Sequence, residues 1–576
     1  MGSLIRLRSI AALAVLSACA VPTFSQSSCS LATAQAAIVD GMSINGISDL
    51  APPLKSPANG VTLVPTHGNQ PEFCLVTGSV VTNKASGSSA NFAIALPSNW
   101  TGRYLFTGCG GYCGSVGLLT DDAARGSLSP SNALAKGYAV VATDDGHQGA
   151  SFDAAWALKS NNRPNDDALT DFGYRAVHVV AQTVRTFVQQ WYGKAVEHAY
   201  FYGCSDGGRE SMMEASRYPT DFDGYIAGAP FFDVPGELLG GHVAQASLAT
   251  GDAYISPSAL KLVSQAVLAE CDAKDGATDG LIQNPAACAF DPAKLVCTPG
   301  QTEHCLNPEQ VKTLRKWFHS VDDEKGKVLA FGYSVSDVFD EKERGANLAL
   351  WASGMTAPDD IHAAEPWFKS TPPPAWKFYD DGLKYIVFRD PARDNNRGTI
   401  VSGNNIVSAS DYKMLIDRTA FARSDDPQML DSLMASRRKL ILFHGFSDGF
   451  INPFRTMQYY DELSHLHQGY GQTSEHVRLF MAPGVYHCGG GPGPNSFDLL
   501  SALEEWVEQG QAPDHLIALK RDSKTNAVTR SMPLCPYPTE AHYSGHGDLN
   551  EASNWSCTAN QDLLKTGLDG REAGRR

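Results

Sequence analysis

The residues best suited to chemistry are Gly203-Cys204-Ser205-Asp206-Gly207, a G-x-S-x-G pattern. The apolar stretch His198–Tyr202 (HAYFY) runs straight into it and reads as a strand. A helix is expected after it, over Ser211–Tyr218. A tight turn between strand and helix holds the serine in a strained backbone conformation, so only small residues fit at the flanking positions. The turn lifts the hydroxyl above the sheet edge, and the free N–H groups of the helix start point to the same spot. The competing reading is an ordinary glycine-rich turn.

A serine hydroxyl attacks well only when a base removes its proton. In α/β-hydrolases the order along the chain is Ser, acid, His, with each partner at the end of a later strand. The strand Lys439–Phe443 leads into His444-Gly445-Phe446-Ser447-Asp448-Gly449. The strand Val477–Met481 leads into Ala482-Pro483-Gly484-Val485-Tyr486-His487-Cys488. Asp448 is therefore the expected acid and His487 the expected base. His444 is a rival base, read more simply as a structural histidine at a strand end. Asp498 is a rival acid, but it suits the start of a helix. Cys204 precedes the serine and Cys488 follows the histidine. If Ser205 and His487 meet, these cysteines are close enough for a disulfide, which needs Cα atoms within roughly 7 Å.

Acyl transfer also needs preorganised donors for a negatively charged oxygen. The N–H of Asp206 is one expected donor. The other belongs to Gly108-Cys109-Gly110-Gly111-Tyr112, after the strand Arg103–Thr107. Gly111 is favoured, and spacing leaves Gly110 open.

Positioning these groups takes a sheet. Arg103–Thr107, Tyr138–Thr143, His198–Tyr202 and Asp223–Ala227 read as strands. Phe172–Trp191 reads as a helix, with apolar residues Val177, Val180, Val184, Phe187, Val188 and Trp191 at three- and four-residue steps. Such alternation predicts a parallel sheet covered on both faces. It fades between about 234 and 436 and returns at Lys439. The fold class is thus α/β, an α/β-hydrolase fold whose parts over 27–233 and 437–576 are separated by a lid domain over 234–436. The segment 520–576 reads as loop-rich.

The chain has 576 residues, 43% apolar, with a formal charge of −16. Such a surface repels polyanions, and no basic run of the kind nucleic-acid binders carry is present. Arg6 and Arg8 precede an apolar run from Ile10 to Val21, shorter than the roughly 20 residues a membrane span needs. This reads as a secretory leader over 1–26, cleaved between Ala20 and Gln26. Leu16-Ser17-Ala18-Cys19 also matches a lipoprotein box, so a lipid anchor is an alternative. The protein is expected to be secreted or periplasmic, with no transmembrane span. Of thirteen cysteines, twelve remain without Cys19. In an exported chain that favours disulfides over metal thiolates. Spacing suggests Cys271 with Cys288, Cys297 with Cys305, Cys535 with Cys557, and Cys109 with Cys113. Cys29 and Cys74 are also counted as bonded.

Together these residues resemble the tannase and feruloyl esterase family, which also includes the bacterial hydrolase of mono(2-hydroxyethyl) terephthalate. The resemblance covers nearly the whole mature chain. Its most specific marks are Cys-Ser-Asp-Gly-Gly at 204–208, His-Cys at 487–488, Gly-Ala-Pro at 228–230 and Leu-Cys-Pro-Tyr-Pro at 534–538. It implies a Cys204–Cys488 disulfide, a lid over the site, and a structural calcium ion in that lid. By position, its ligands are the carboxylates of Asp272, Asp275 and Asp279 and the carbonyls of Ala277 and Leu281. Clustered carboxylates repel one another unless a hard cation joins them, and oxygen donors suit calcium. The loop is no EF-hand, because the twelfth position from Asp272 is Gln283. A solvated acidic turn is the plainer alternative. Cys109 and Cys113 depart from the family pattern.

The resemblance further implies a serine esterase for small esters of aromatic acids, including those linked to plant polymers. Feruloyl or other hydroxycinnamoyl esters are favoured, with galloyl esters and terephthalate monoesters as alternatives. Trp351, Trp367, Trp376, Phe378, Tyr385 and Phe388 supply flat lid surfaces for such groups, although each alone reads more simply as lid core. Lys384 is a candidate partner for a carboxylate or phenol. A peptidase or a non-catalytic binding protein on the same fold are the readings from other classes.

Overall fold

The computed structural model describes residues 28–559, apart from 68–69, 118–129, 249–252, 340–346, 355, 361–362, 364–365 and 396–398. The expected leader and the lipoprotein box at Cys19 lie outside the described residues. Among the described residues, no helix is long and apolar enough to cross a membrane.

Among the described residues, ten strands form one sheet. They are β1 (Met42–Ile44), β2 (Val61–Val64), β3 (Phe73–Asn83), β4 (Ser88–Pro97), β5 (Arg103–Thr107), β6 (Tyr138–Thr143), β7 (His198–Cys204), β8 (Gly224–Gly228), β9 (Lys439–Gly445) and β10 (Val477–Ala482). Their spatial order is β1-β3-β4-β6-β5-β7-β8-β9-β10, with β2 also on β3. From β6 to β10 all neighbours are parallel. Pairing around β1 to β4 is antiparallel, including β4 on β6. The parallel strands are covered on both faces, which is why YAVVAT and GYIAG run without polar alternation: every residue in them is buried.

The expected helix opens with a wide turn over Asp171–Arg175 and continues as α1 (Ala176–Tyr192). It buries the apolar stripe read from the sequence and stops at Gly193, which takes φ +64°. After the serine comes α2 (Asp206–Arg217), so the helix starts five residues earlier than expected. Gly207 and Gly208 are poor helix formers and hide that start in the sequence. Helices α3 (Pro453–Leu466) and α4 (Leu499–Gln509) complete the cover. Of the segment read as loop-rich, the described part, up to 559, belongs to two antiparallel ribbons instead. Leu516–Arg521 pairs with Val528–Leu534, and Thr539–Tyr543 with Trp555–Ala559. Their many polar residues obscure the strand signal.

Between β8 and β9 the described residues add no strand to the large sheet. It builds helices at Val234–Leu248, Pro257–Cys271, Pro308–Phe318, Pro374–Asp381 and Ala409–Thr419, and a three-stranded sheet of its own. Part of it has a separate core around Leu260, Val263, Leu314, Trp317 and Phe318. The insertion grips the loop that follows β9. Ser447 donates to Asp337 at 2.7 Å, the Asn452 N–H to Glu237 at 3.1 Å, and Tyr379 Oη to the Phe450 carbonyl at 3.0 Å.

All six disulfides are formed: Cys29–Cys74, Cys109–Cys113, Cys204–Cys488, Cys271–Cys288, Cys297–Cys305 and Cys535–Cys557.

Candidate active site

The parallel strands all end on one side, and β7, β9 and β10 each end in a predicted site loop. At the end of β7, Ser205 takes φ +66° and ψ −124°, in the region that disfavours a side chain. A Cβ on Gly203 would lie 2.0 Å from the Gly207 carbonyl oxygen, and one on Gly207 would lie 2.9 Å from that of Cys109. Both flanking glycines are therefore required by close backbone approach. Ser205 N–H donates to Gly228 at 3.0 Å, and its carbonyl accepts from Phe231 at 3.0 Å, which locks the turn.

Asp448 Oδ2 accepts from His487 Nδ1 at 2.7 Å. Oδ1 accepts the N–H groups of Phe450 at 2.8 Å and Ile451 at 3.0 Å. Burial alone would raise the Asp448 pKa. The charge of His487 and hydrogen bonds from His444 and His487 overcome that and pull it down to about 2. The other ring nitrogen, His487 Nε2, is buried and bonded to no described group, Ser205 included. A base nitrogen without a protein partner is open to a proton, and such contacts often close only around substrate. The Cys204–Cys488 disulfide, with Cα atoms 5.9 Å apart, fixes the residues directly beside Ser205 and His487.

The rivals take other places in the hydrogen-bond network. His444 is fully buried, with Nδ1 on Thr456 Oγ1 at 2.9 Å and Nε2 near Asp448 Oδ2 at 3.2 Å. It is a partner of the acid, not a second base toward the serine. Asp498 caps α4 and accepts from the Ser501 N–H at 3.0 Å and its hydroxyl at 2.6 Å.

The glycine loop after β5 lies against the elbow. Gly207 N–H donates to the Cys109 carbonyl at 2.7 Å, and Tyr112 N–H to Ser151 at 2.6 Å. Gly111 has φ +68°, and a Cβ there would sit 2.1 Å from the Ser151 carbonyl oxygen. The N–H groups of Gly111 and Asp206 donate to no described protein acceptor. The same holds for Gly110, so both loop donors remain candidates. The Asp206 side chain points away, into an ion pair with buried Arg209 at 2.6 Å.

Aromatic rings pack around His487. Trp351 of the insertion stacks on Phe450 at 4.5 Å, and both meet the imidazole edge-on at 6.2 and 5.2 Å. Phe378 packs on Phe450 and stacks on Tyr112. Trp367 and Trp376 instead pack on each other within the insertion core. Phe388 lies under the Arg393 guanidinium, and Lys384 pairs with Asp380 at 2.6 Å. Sequence reading missed Phe450, Tyr112 and Phe152, which meets Trp351 edge-on. For Phe450 a signal existed, its place two residues past the acid in the same loop.

In the insertion, Asp272, Asp275 and Asp279 share one loop beside the Cys271–Cys288 disulfide. Asp275 Oδ1 accepts the Ala277 N–H at 2.9 Å, while Oδ2 is buried without a partner. Burial first, and then the charges of Asp279 and Asp272, push Asp275 up to about 7 against the pull of backbone hydrogen bonds. No described donor reaches the buried carbonyls of Ala277 and Leu281. Arg530, from the ribbon strand Val528–Leu534, pairs with Asp279. An all-oxygen donor set with an orphaned carboxylate oxygen suits a hard divalent cation.

A family model described as tannase and feruloyl esterase matches residues 74–558. Mono(2-hydroxyethyl) terephthalate hydrolase of Piscinibacter sakaiensis is 32% identical over 531 residues, 85% of each chain. A probable feruloyl esterase of Arthroderma benhamiae is 30% identical over 473 residues, 81% of each chain. The crystal structure of feruloyl esterase B from Aspergillus oryzae superposes with a TM-score of 0.71 at 23% identity, over 90% of this chain and 97% of that one. The chain belongs to the tannase and feruloyl esterase family and carries its α/β-hydrolase fold.

Proposed function

We propose that the chain is a secreted carboxylic-ester hydrolase that acts on esters of aromatic acids through an acyl-enzyme on Ser205. The observation that carries this reading is the strained serine turn, tied by Cys204–Cys488 to a histidine that is itself bonded to Asp448. In the first half, His487 Nε2 takes the Ser205 proton as the oxygen attacks the ester carbonyl. Asp448 holds the ring through Nδ1 and stabilises the imidazolium. The N–H groups of Asp206 and Gly111 receive the carbonyl oxygen as it becomes negative. His487 then returns the proton to the leaving alcohol. In the second half it activates water, and the acid product leaves.

Trp351 and Phe450 support an aromatic acyl group, since a flat ring gains from edge and face contacts beside the imidazole. Among such acids we favour hydroxycinnamates. Galloyl esters and terephthalate monoesters are the alternatives, the last motivated by the relative 32% identical to this chain. The oxygen-rich loop at Asp272, Asp275, Ala277, Asp279 and Leu281 is the proposed calcium site. Calcium would neutralise the carboxylates and brace the insertion, with no part in the reaction. Secretion is supported by the leader-like start and by twelve cysteines, all paired.

The test is a substrate panel with mature protein: methyl ferulate, methyl gallate, a terephthalate monoester and a peptide anilide, with Ser205→Ala as control. Turnover of an aromatic ester that vanishes in the variant is expected. Cleavage of the anilide alone would indicate a peptidase. Turnover of nothing, or turnover unchanged in Ser205→Ala, would reject the proposal.

A further inference from the structure

We infer that His444 is a positioning residue for the reaction, donating from Nε2 to the same carboxylate oxygen of Asp448 that receives the His487 proton donor. The inference rests on Asp448 and His487 acting as proposed above. His444 Nε2 faces two acceptors, Asp448 Oδ2 and the Ile451 carbonyl, both at 3.2 Å. Neither an ionised carboxylate nor a carbonyl can donate, so Nε2 carries the hydrogen. Nδ1 faces the Thr456 hydroxyl at 2.9 Å, which can donate to it. Asp448 and the Ile451 carbonyl thus fix the tautomer, and Thr456, on the first turn of α3, satisfies the bare Nδ1 by donating to it.

The donor count shows what this does. An ionised carboxylate offers about four lone-pair directions. At Asp448 two are taken by the Phe450 and Ile451 N–H groups, one by His487 and one by His444. With all four engaged on a fully buried side chain, the carboxylate plane has one orientation, and so does the imidazole of His487 that hangs from it. Removing His444 leaves a buried lone pair unfilled and lets the plane turn. A packing histidine would need neither the shared oxygen nor the hydroxyl behind it.

The test uses the full mature chain on methyl ferulate, or on whichever panel ester turns over best. His444→Leu keeps bulk and removes the donor, His444→Gln keeps an N–H at similar reach, and Thr456→Val removes only the hydroxyl. His444→Leu is expected to lower kcat by roughly 10- to 100-fold, the scale of misplacing a catalytic group, with KM within about twofold. His444→Gln should recover most of that loss. Thr456→Val should cost a smaller factor at unchanged Tm. Equal losses in His444→Leu and His444→Gln, or wild-type kcat in His444→Leu, would overturn the inference. If His444→Leu does not fold, Thr456→Val decides: reduced kcat at unchanged Tm supports the role, and wild-type kcat removes it. Ser205→Ala separates the two levels, since activity surviving there would sink the triad itself, whatever His444 does.

Discussion

Asp448 and Asp275 are both buried carboxylates, one at the end of a sheet strand and one in the inserted domain. Asp448 has four donors around two oxygens and is drawn down to about 2. Asp275 has one short hydrogen bond and an orphaned oxygen, lies near two like charges, and is pushed up to about 7. Burial raises both. Their different fates come from what else the fold supplies. At the sheet edge it supplies donors, so the charge is kept for orienting a base. In the insertion it supplies more carboxylates and free carbonyls, surroundings that disfavour the charge and suit the proposed cation.

Exchanging the two carboxylates for amides tests that contrast most severely. Asp448→Asn should lower kcat by about 10³- to 10⁴-fold, because the amide favours the wrong tautomer of His487. Asp275→Asn should leave kcat within a few-fold when calcium is in excess. Steady-state kinetics of the two variants checks this, and equal losses of kcat would erase the distinction. Removing calcium comes next in size. At calcium a hundred times its Kd, linkage gives about 2.7 kcal/mol of stabilisation, which a chelator should abolish. Calorimetry with and without chelator should show a fall in Tm in the wild type and little change in Asp275→Asn. An unmoved wild-type Tm would remove the calcium assignment.

Acid titration separates the sites by sign. Asp448 lies below its ordinary value of 3.8, so its contribution to stability is present above 3.8 and lost as pH falls through about 2. It amounts to about 2 kcal/mol, read as the difference in unfolding free energy between wild type and Asp448→Asn across that window. Asp275 runs the other way. Without metal it stays protonated in the folded state while the unfolded chain ionises, so stability falls as pH rises from 3.8 to about 7. The metal-free protein should lose a few degrees of Tm over that interval, and the calcium-loaded protein should not. Parallel slopes in both forms would mean that Asp275 does not face the ion.

The candidate catalytic loops were legible in the sequence because the proposed chemistry is written locally there. Ser205, Asp448 and His487 each follow a buried strand, and parallel strands with two covered faces read as plain apolar runs. Cys204 and Cys488 marked which loops meet. The antiparallel strands β3 and β4 were not legible. Their sequences mix small and polar residues, and β3 is buried at successive positions over its first half, so no two-residue period shows. The aromatic rings beside His487 were only partly legible, since Trp351, Phe152 and Phe450 come from three remote segments that meet only in the folded chain. His444 shows the same limit from close by. The motif places it four residues before the acid, but only the loop's geometry brings its ring back onto the carboxylate.

Treating the protein with a reactive aryl phosphonate and mapping the adduct by peptide mass spectrometry asks whether Ser205 is the nucleophile that the acid and base act upon. A single adduct on Ser205, formed in step with loss of esterase activity and far more slowly in Asp448→Asn, is predicted. An adduct on another residue, or full activity in protein fully labelled at Ser205, would contradict it.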